Sequence, residues 1–370
     1  MRIAVDATPL IGAGTGVATF SRGAIRALAA RGDVALTAFG LTVRGRGALA
    51  GLVPPGVRVV DRPLPAGLLG RLWSRTDLAP AEWWTGPCDV VHGTNFVVPP
   101  TRRAAAVVTV HDLTAIRHPE LCAPTSLRYP DLVRRAVRRG AWVHTVSSAI
   151  GDEVVERLGL PHDRVRVVRP GLDPVLAGDA ATGRAVAGAE RYVLALGTVE
   201  PRKGLPDLVR AFDRLAATRD DLALVVAGPD GWGTQAFSAA VAMARHGARV
   251  RRLGWVDDAT RADLLAGARL LAVPSIYEGF GYPPLEAMAV GTPVVATEVG
   301  SLPEVLGAAA RLVPGGDVDA LTAALADVID DDAEHARLAA AGPPHAATFS
   351  WETCAAGLVD LYRDAVAGRG

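Results

Sequence analysis

Short apolar runs recur along the chain at 2–7, 34–39, 57–60, 89–92, 106–110, 142–146 and 165–168, then at 192–196, 223–227, 250–253, 270–273, 293–296 and 310–313. Stretches with helical spacing of apolar residues lie between most of them. Runs of this kind read as strands buried on both faces. Their alternation with helices predicts an α/β protein with two doubly wound parallel sheets. Between the two series, RPGLDP is followed by a Gly- and Ala-rich stretch without a clear period, so the linker is expected within 169–189. This gives domains of 1–175 and 176–350, and the amphipathic segment FSWETCAAGLVDLYRDAV supplies a final helix over 351–370. Open α/β sheets bind ligands beyond the carboxyl ends of their strands, so the loops after these runs are where chemistry is sought.

Composition narrows the class. No run of about eighteen apolar residues suggests a membrane-spanning helix, and MRIAVDATPL reads as a strand entering a turn rather than a signal peptide. Cys88, Cys122 and Cys354 are an odd number without metal-ligand spacing, as expected of reduced thiols in a cytoplasmic protein. The net charge of zero hides an asymmetry: residues 1–180 carry 22 Arg against 15 acids, a net of +7, and residues 181–370 carry 17 basic against 24 acidic groups, a net of −7. No nucleic-acid partner is expected.

The densest chemistry lies in PSIYEGFGYPPLEAMAVGTPVVAT, residues 274–297. Glycines 279 and 281 free the loop after a strand, Pro283 and Pro284 suit the first positions of a helix, and Gly291 ends it. A helix start and a glycine loop form an anion site, and Glu278 and Glu286, eight residues apart, can address two ends of one ligand. A second signal is Lys203, the only lysine among 39 basic residues, which follows Arg202 in LALGTVEPRKG just after a strand. An Arg fork beside a compact ammonium suits a diphosphate, although such a pair is also common in a solvated surface loop.

The segment 274–297 resembles the retaining glycosyltransferases of family 4, whose hallmark is two glutamates separated by seven residues within EGFGxPxxEAMAxGxPVV. The resemblance implies a GT-B fold of two Rossmann-like domains facing across a cleft, the first on the acceptor side and the second on the nucleotide-sugar side, with the tail helix crossing back to the first domain. It also implies that Arg202 and Lys203 clamp the donor diphosphate, that Glu278 holds sugar hydroxyls and steadies developing positive charge, and that Glu286 holds the ribose. Gly197, Thr198, Gly279, Phe280, Gly281 and Leu285 would line the donor site, and the backbone at Gly254 and Val256 in RLGWVDD the base pocket. His111, which alone could equally cap a strand end, would touch the transferred sugar, so that His111, Arg202, Lys203 and Glu278 carry catalysis. RIAVDATPL, GTGVATFSR and GTVEPRKG look most like mannosyl- and rhamnosyltransferase members, which points to GDP-mannose as donor and to a glycan, lipid-linked glycan or small molecule as acceptor. No cofactor is implied. A sugar-nucleotide epimerase on the same fold, or a protein that binds nucleotide sugars without turnover, are the alternatives.

Other motifs weigh less. LIGAGTGVATF spells G-x-G-x-G at Gly12, Gly14 and Gly16, and the second strand ends at Phe39 and Gly40 without an acid for an adenosine ribose; in the family, Gly14 to Gly16 would line the site near the donor phosphates. Asp112 reads as a loop or helix-capping residue, and His92, Thr94 and Asn95 as acceptor-side or structural residues. GDVDA contains Asp317 and Asp319 in Asp-x-Asp spacing, but Asp317 reads as a helix N-cap, and Asp330 to Asp332 as a charged turn, so no metal is expected. Arg134, Arg135, Arg138 and Arg139 share one helix face within 128–143, either a solvated face or a contact for an anionic membrane at the inner surface. The loop 41–86, with Trp73, Trp83 and Trp84, is placed on the acceptor side.

Overall fold

The computed structural model describes residues 1–12, 14–43, 45, 47–60, 62 and 65–369. Residues 44, 46, 61, 63 and 64 of the predicted acceptor-side loop, Ala13 of the glycine-rich loop and Gly370 of the tail lie outside the described residues. Among the described residues the strands are β1 (Arg2–Asp6), β2 (Ala35–Phe39), β3 (Arg58–Val60), β4 (Val90–Gly93), β5 (Ala105–Val110), β6 (Trp142–Thr145), β7 (Val165–Val167), β8 (Arg191–Leu196), β9 (Leu222–Ala227), β10 (Val250–Gly254), β11 (Leu270–Val273), β12 (Val294–Thr297) and β13 (Arg311–Val313). Each lies within one residue of the apolar run that predicted it. The pairings are parallel, in a seven-stranded sheet of order β3-β2-β1-β4-β5-β6-β7 and a six-stranded sheet of order β10-β9-β8-β11-β12-β13. Central strands such as β9, LALVVA, are buried at every position, which is why they read as continuous apolar runs rather than as alternating ones.

The chain forms two compact units, Met1–Asp173 with Phe349–Gly370, and Pro174–Thr348. In the first, the final helix Trp351–Ala367 packs Cys354, Leu358, Leu361 and Tyr362 against Phe20, Leu28, Val90 and Val107. Trp351 lies so close over Gly23 that a Cβ there would come within 2.0 Å of its ring. The second unit buries Val193, Leu224, Leu270 and Val295 of its strands against Leu208, Phe212, Leu325 and Val328 of its helices.

The expected linker is structured in part. Residues Ala180–Ala187 form a helix with Asp179 as N-cap and Gly188 in the left-handed conformation after it. It shows no apolar stripe because it packs through its backbone: a Cβ on Gly183 would sit 1.9 Å from the Asp263 carbonyl oxygen of the helix Asp258–Gly267. Small residues that let two backbones meet carry no hydrophobic period, so the pattern missed it.

In each sheet the order reverses at the first strand of the unit. β1 lies between β2 and β4, and β8 between β9 and β11. The loops leaving β1 and β4 in one unit, and β8 and β11 in the other, therefore diverge at the topological switch points where such sheets open a crevice.

Candidate active site

At the β8/β11 switch point the two strongest sequence signals meet. After β8 the chain turns through Gly197, φ +136°, into a short turn of helix Pro201–Lys203 that ends at Gly204 in the left-handed region. Gly204 is required twice over, since a Cβ there would also stand 2.0 Å from the Pro274 carbonyl oxygen beyond β11. The Ile276 N–H donates to the Arg202 carbonyl at 2.8 Å, strapping this turn to the loop after β11. Arg202 Nη1 then donates to Glu278 Oε2 at 2.6 Å and to the Tyr277 carbonyl at 3.1 Å, while Lys203 Nζ donates to Glu278 Oε1 at 2.6 Å. Ser275 Oγ donates to the same Oε1 at 2.7 Å, and Glu200 flanks Arg202 at 3.4 Å.

Glu278 is 5% exposed. Burial would push its carboxyl up, but the Arg202 and Lys203 charges, with the hydrogen bonds from Lys203 and Ser275, outweigh it and hold the group at about 2. The loop is fixed from behind as well: Ser301 N–H donates to the Glu278 carbonyl at 3.0 Å, and a Cβ on Gly300 would lie 2.2 Å from that oxygen. The cluster is a preset arrangement of two cations around one buried anion. Arg202, Lys203 and Glu278, given separate duties from the sequence, thus stand in one place, the two cations sharing the carboxylate.

The helix start beyond the loop offers less than its position suggests. Gly281, φ +102°, leads into Tyr282–Ala289, but Pro283 and Pro284 have no N–H, so two of the usual first-turn donors are missing. Phe280 is buried with its ring edge-on to Tyr282 at 5.1 Å, and Leu285 is wholly buried; the side chains of both serve the core. Glu286 lies apart from the cluster, its Oε2 3.3 Å from Arg261 Nη1 of the helix Asp258–Gly267. Gly254, φ +74°, ends β10, and its carbonyl accepts from Gly228 N–H at 2.6 Å. Gly228, φ +140°, in turn lies against the Gly197 backbone, where a Cβ would come within 2.1 Å of the carbonyl oxygen. Three successive sheet neighbours thus end on glycines. Gly228 was not singled out from the sequence, although the repeated strand-then-glycine pattern at 197, 228 and 254 carried the signal. Thr198 and Val256 follow the first and last of these glycines and are half-buried.

His111 falls on the other unit, just beyond β5, with Gly14 and Gly16. Its Nε2 lies 2.7 Å from the Thr94 carbonyl, which only accepts, so Nε2 carries the proton and a neutral ring keeps Nδ1 as an acceptor. Burial pushes its pKa down, against the raising effects of the Thr94 carbonyl and Asp112. Asp112 accepts from Thr114 N–H at 2.9 Å, a capping contact. Gly14, Thr15 and Gly16 are exposed; Thr15 caps the helix Gly16–Ala29, and a Cβ on Gly14 would meet nothing.

His92 is structural. Its ring joins Tyr362 Oη at 2.7 Å to Thr109 Oγ1 at 2.8 Å, Thr109 reaches His144 Nδ1 at 2.9 Å, and His144 Nε2 reaches the Val168 carbonyl at 2.9 Å. The carbonyl end sets every direction for neutral rings. His144 Nε2 must donate, so Thr109 donates to its Nδ1, His92 Nε2 donates to Thr109, and the Tyr362 hydroxyl of the last helix donates to His92 Nδ1. Burial lowers His144 to about 4 and His92 well below its usual value, so both rings are neutral.

Asp317 accepts from Ala320 N–H as the N-cap of Val318–Asp330, and Asp319 pairs with Arg214. Asp331 caps the next helix, while Asp330 and Asp332 pair with Arg219 and Arg269. Among the described residues no group of three or more His, Cys, Asp or Glu side chains could hold a metal ion. The predicted arginine face of Tyr129–Arg138 is largely engaged: Arg135 and Arg139 bind Asp77 at 2.7 and 3.3 Å, and Arg134 donates to the Arg157 carbonyl, while Arg138 is exposed. No helix of the described residues is long and apolar enough to cross a membrane.

Comparison with known proteins places this geometry. Residues 14–176 match the model of Glycosyltransferase Family 4, and residues 183–344 that of Glycosyl transferases group 1. The chain is 32% identical over 288 residues to the O-antigen chain mannosyltransferase B of Escherichia coli, covering 74% of each chain. It is 33% identical over 303 residues to the MMP alpha-(1->4)-mannosyltransferase of Mycolicibacterium hassiacum, covering 76% of this chain and 72% of that one. A sucrose-phosphate synthase from Thermosynechococcus elongatus shares the fold, with a TM-score of 0.76 at 22% identity over 98% of both chains. With its parallel sheets of seven and six strands and its paired-glutamate motif, the chain is a glycosyltransferase of family 4 with the GT-B fold and mannosyltransferase relatives.

Proposed function

We propose that the protein transfers a mannose-like hexose from a nucleoside-diphosphate sugar, GDP-mannose, to an acceptor hydroxyl of a glycan, a lipid-linked glycan or a small molecule, with retention of anomeric configuration. The observation that carries this reading is the Glu278–Arg202–Lys203 cluster at the β8/β11 switch point. The unit Pro174–Thr348 takes the donor and the unit beginning at Met1 the acceptor. The diphosphate engages Arg202 and Lys203, and Glu278, sharing those cations, turns its oxygens to the hydroxyls of the sugar. As the bond from the anomeric carbon to the phosphate oxygen breaks, its electron pair stays on the diphosphate, and the two cations stabilise that growing charge more than they stabilise the bound donor. The acceptor oxygen bonds to the anomeric carbon on the face being vacated, and its proton passes to the departing phosphate. Glu278 steadies the positive charge on the ring without attacking it. His111 Nδ1 accepts from a hydroxyl of the transferred sugar, Gly14 and Gly16 leave room for the donor phosphates, and Glu286 holds the ribose in exchange for Arg261. The backbone at Gly197, Thr198, Gly254, Val256 and Gly279 to Gly281 completes the donor cradle.

Mannose is supported by the two mannosyltransferase relatives. A thermal-shift panel of nucleoside diphosphates tests the base: GDP stabilises the protein more than UDP, and the reverse order rejects GDP-mannose. Because Arg202 and Lys203 perform the electrostatic work of a metal, turnover persists in excess EDTA; loss that manganese or magnesium restores overturns that part. Glu278→Gln lowers kcat sharply with little change in donor affinity, whereas Glu286→Gln mainly weakens donor binding. Reversed behaviour of the two variants exchanges their roles.

A further inference from the structure

The switch point of the other unit, at β1 and β4, holds a carboxylate in a different condition. Asp6 closes β1 and is 4% exposed. Its Oδ1 accepts from the Thr8 N–H at 2.9 Å and from the Thr8 hydroxyl. Among the described residues its Oδ2 accepts no hydrogen bond, and no Lys, Arg or His pairs with it. Capping the turn Thr8–Ile11 uses one oxygen, which an asparagine supplies equally well. A carboxylate is costly in such a place without a partner, and burial, partly offset by the Thr8 bonds, pushes its pKa up to about 6.

The neighbouring strand ends form a frame around it. Thr94 Oγ1 donates to the Asp6 carbonyl at 2.7 Å, and the Thr94 carbonyl accepts from His111 Nε2 at 2.7 Å, so the ends of β1, β4 and β5 are joined through one residue. Beyond β4 the chain folds back sharply: a Cβ on Gly93 would lie 1.9 Å from the Val97 carbonyl oxygen. Phe96 at the tip has φ +57°, a left-handed conformation that a bulky residue adopts at a cost. Its half-buried ring stacks on Tyr129 at 4.9 Å and meets His111 edge-on at 6.0 Å. An oxygen left over on a carboxylate and an aromatic ring held under strain are the two surfaces a sugar needs, one for its hydroxyls and one for its carbon face.

We propose that this edge is the acceptor subsite, a polyol-binding site in which Asp6 Oδ2 takes a hydrogen bond from an acceptor hydroxyl and the Phe96 ring covers the sugar's carbon face. It rests on the glycosyltransferase reading with the acceptor on this unit. No bond is made or broken by Asp6.

The test follows nucleoside diphosphate release from the donor selected by thermal shift, with methyl α-mannoside, methyl α-rhamnoside and myo-inositol as acceptor probes. Asp6→Asn keeps an oxygen for Thr8 and turns an amide toward the acceptor; its acceptor KM rises roughly tenfold or more, the usual scale for a lost charged hydrogen bond, while the donor KM stays within about twofold and the Tm does not fall. Phe96→Gly relieves the backbone strain while giving up the stack on Tyr129, and shows the same loss toward the acceptor with the donor KM within about twofold. Unchanged acceptor KM in both variants overturns the proposal, as does a wild-type protein that releases nucleoside diphosphate into water but is accelerated by none of the probes. Failure to release it from any nucleotide sugar sinks the transferase reading instead. Should Asp6→Asn not fold, the carboxyl carbon resonance of Asp6 in the wild-type protein decides: it shifts on adding methyl α-mannoside, and a resonance that does not move overturns the assignment.

Discussion

The two switch points solve the same electrostatic problem in opposite ways. In the unit Pro174–Thr348 a buried carboxylate keeps its charge because Arg202 and Lys203 cancel it. In the unit that begins at Met1 no partner charge is supplied: His92 and His144 are neutral rings in a directional hydrogen-bond chain, and burial raises the Asp6 carboxyl to about 6. Desolvation acts on all of them, and only the presence of a partner charge decides its outcome. In the function proposed above, cancellation serves as a mount for another anion, because cations already in place can exchange one carboxylate for a diphosphate.

The largest expected effect breaks the cancelled side. Lys203→Ala leaves Glu278 with Arg202 and Ser275 alone and removes a cation that would stabilise the leaving group; kcat falls on the order of a thousandfold, a loss typical of a transition-state donor. Lys203→Arg, the more telling variant, loses about 1–3 kcal/mol of transition-state stabilisation. The Lys203 stem lies beside Gly197, where a Cβ would be 3.5 Å from Cε, and a planar guanidinium is bulkier than the ammonium it replaces and carries a fixed donor geometry. Single-turnover kinetics at saturating donor measure both, and full activity in Lys203→Arg would make the lone lysine an accident of composition.

Acid sharpens the contrast. His144 and His92 are depressed in the folded state, so the stability they confer is complete above the unfolded value of about 6.5 and is lost as pH falls toward about 4. For His144 alone this is on the order of 3 kcal/mol. Asp6 works the other way: its raised pKa gives stability that is full below the unfolded value and lost as pH rises through about 6, so it offsets part of the histidine loss. Glu278, depressed to about 2, gives stability present above the usual carboxylate range and lost only on falling through that value. Hydrogen exchange resolved by peptide therefore shows the unit that begins at Met1 loosening more between pH 6.5 and 4 than the other unit, where burial lowers His335. Asp6→Asn is more stable than the wild type at neutral pH and loses stability more steeply on acidification. Equal loosening of the two units across that window would refute the difference.

The smallest effect concerns the last helix. Tyr362→Phe removes the hydroxyl that donates to His92 Nδ1 and leaves a buried acceptor unsatisfied, which costs about 1–3 kcal/mol. Denaturant titration measures the cost, and exchange within Trp351–Ala367 shows whether it is local. No change in stability would show that the bond between Tyr362 and His92 contributes nothing to the fold.

Much of this was legible in the residues. The strands of parallel sheets are buried on both faces, so each of the runs from Arg2 to Val313 announced itself without reference to partners. Asp317 read correctly as a cap because an N-cap bond is closed within three residues. The loop and helix after β11 were visible because a glycine-freed loop and a proline-led helix are local devices. The helix Ala180–Ala187 was missed because its packing is glycine against backbone, and His92 stayed ambiguous because its partners stand 17 and 270 residues away.

By itself, then, the sequence determined the alternation of elements, the glycines after β8 and at the end of β10, and the glycine loop and proline-led helix after β11. These depend on the chain's own dihedral limits and on periodic burial, which neighbours in sequence impose. Only the tertiary structure decided that Glu278 shares its oxygens between Arg202 and Lys203 while Glu286 stands with Arg261, and that Asp6 has one oxygen held by Thr8 and the other without a hydrogen bond among the described residues. Hydrogen bonds and ion pairs act over about 3 Å, and the strands that bring such groups to that distance are ordered by the sheet rather than by the chain.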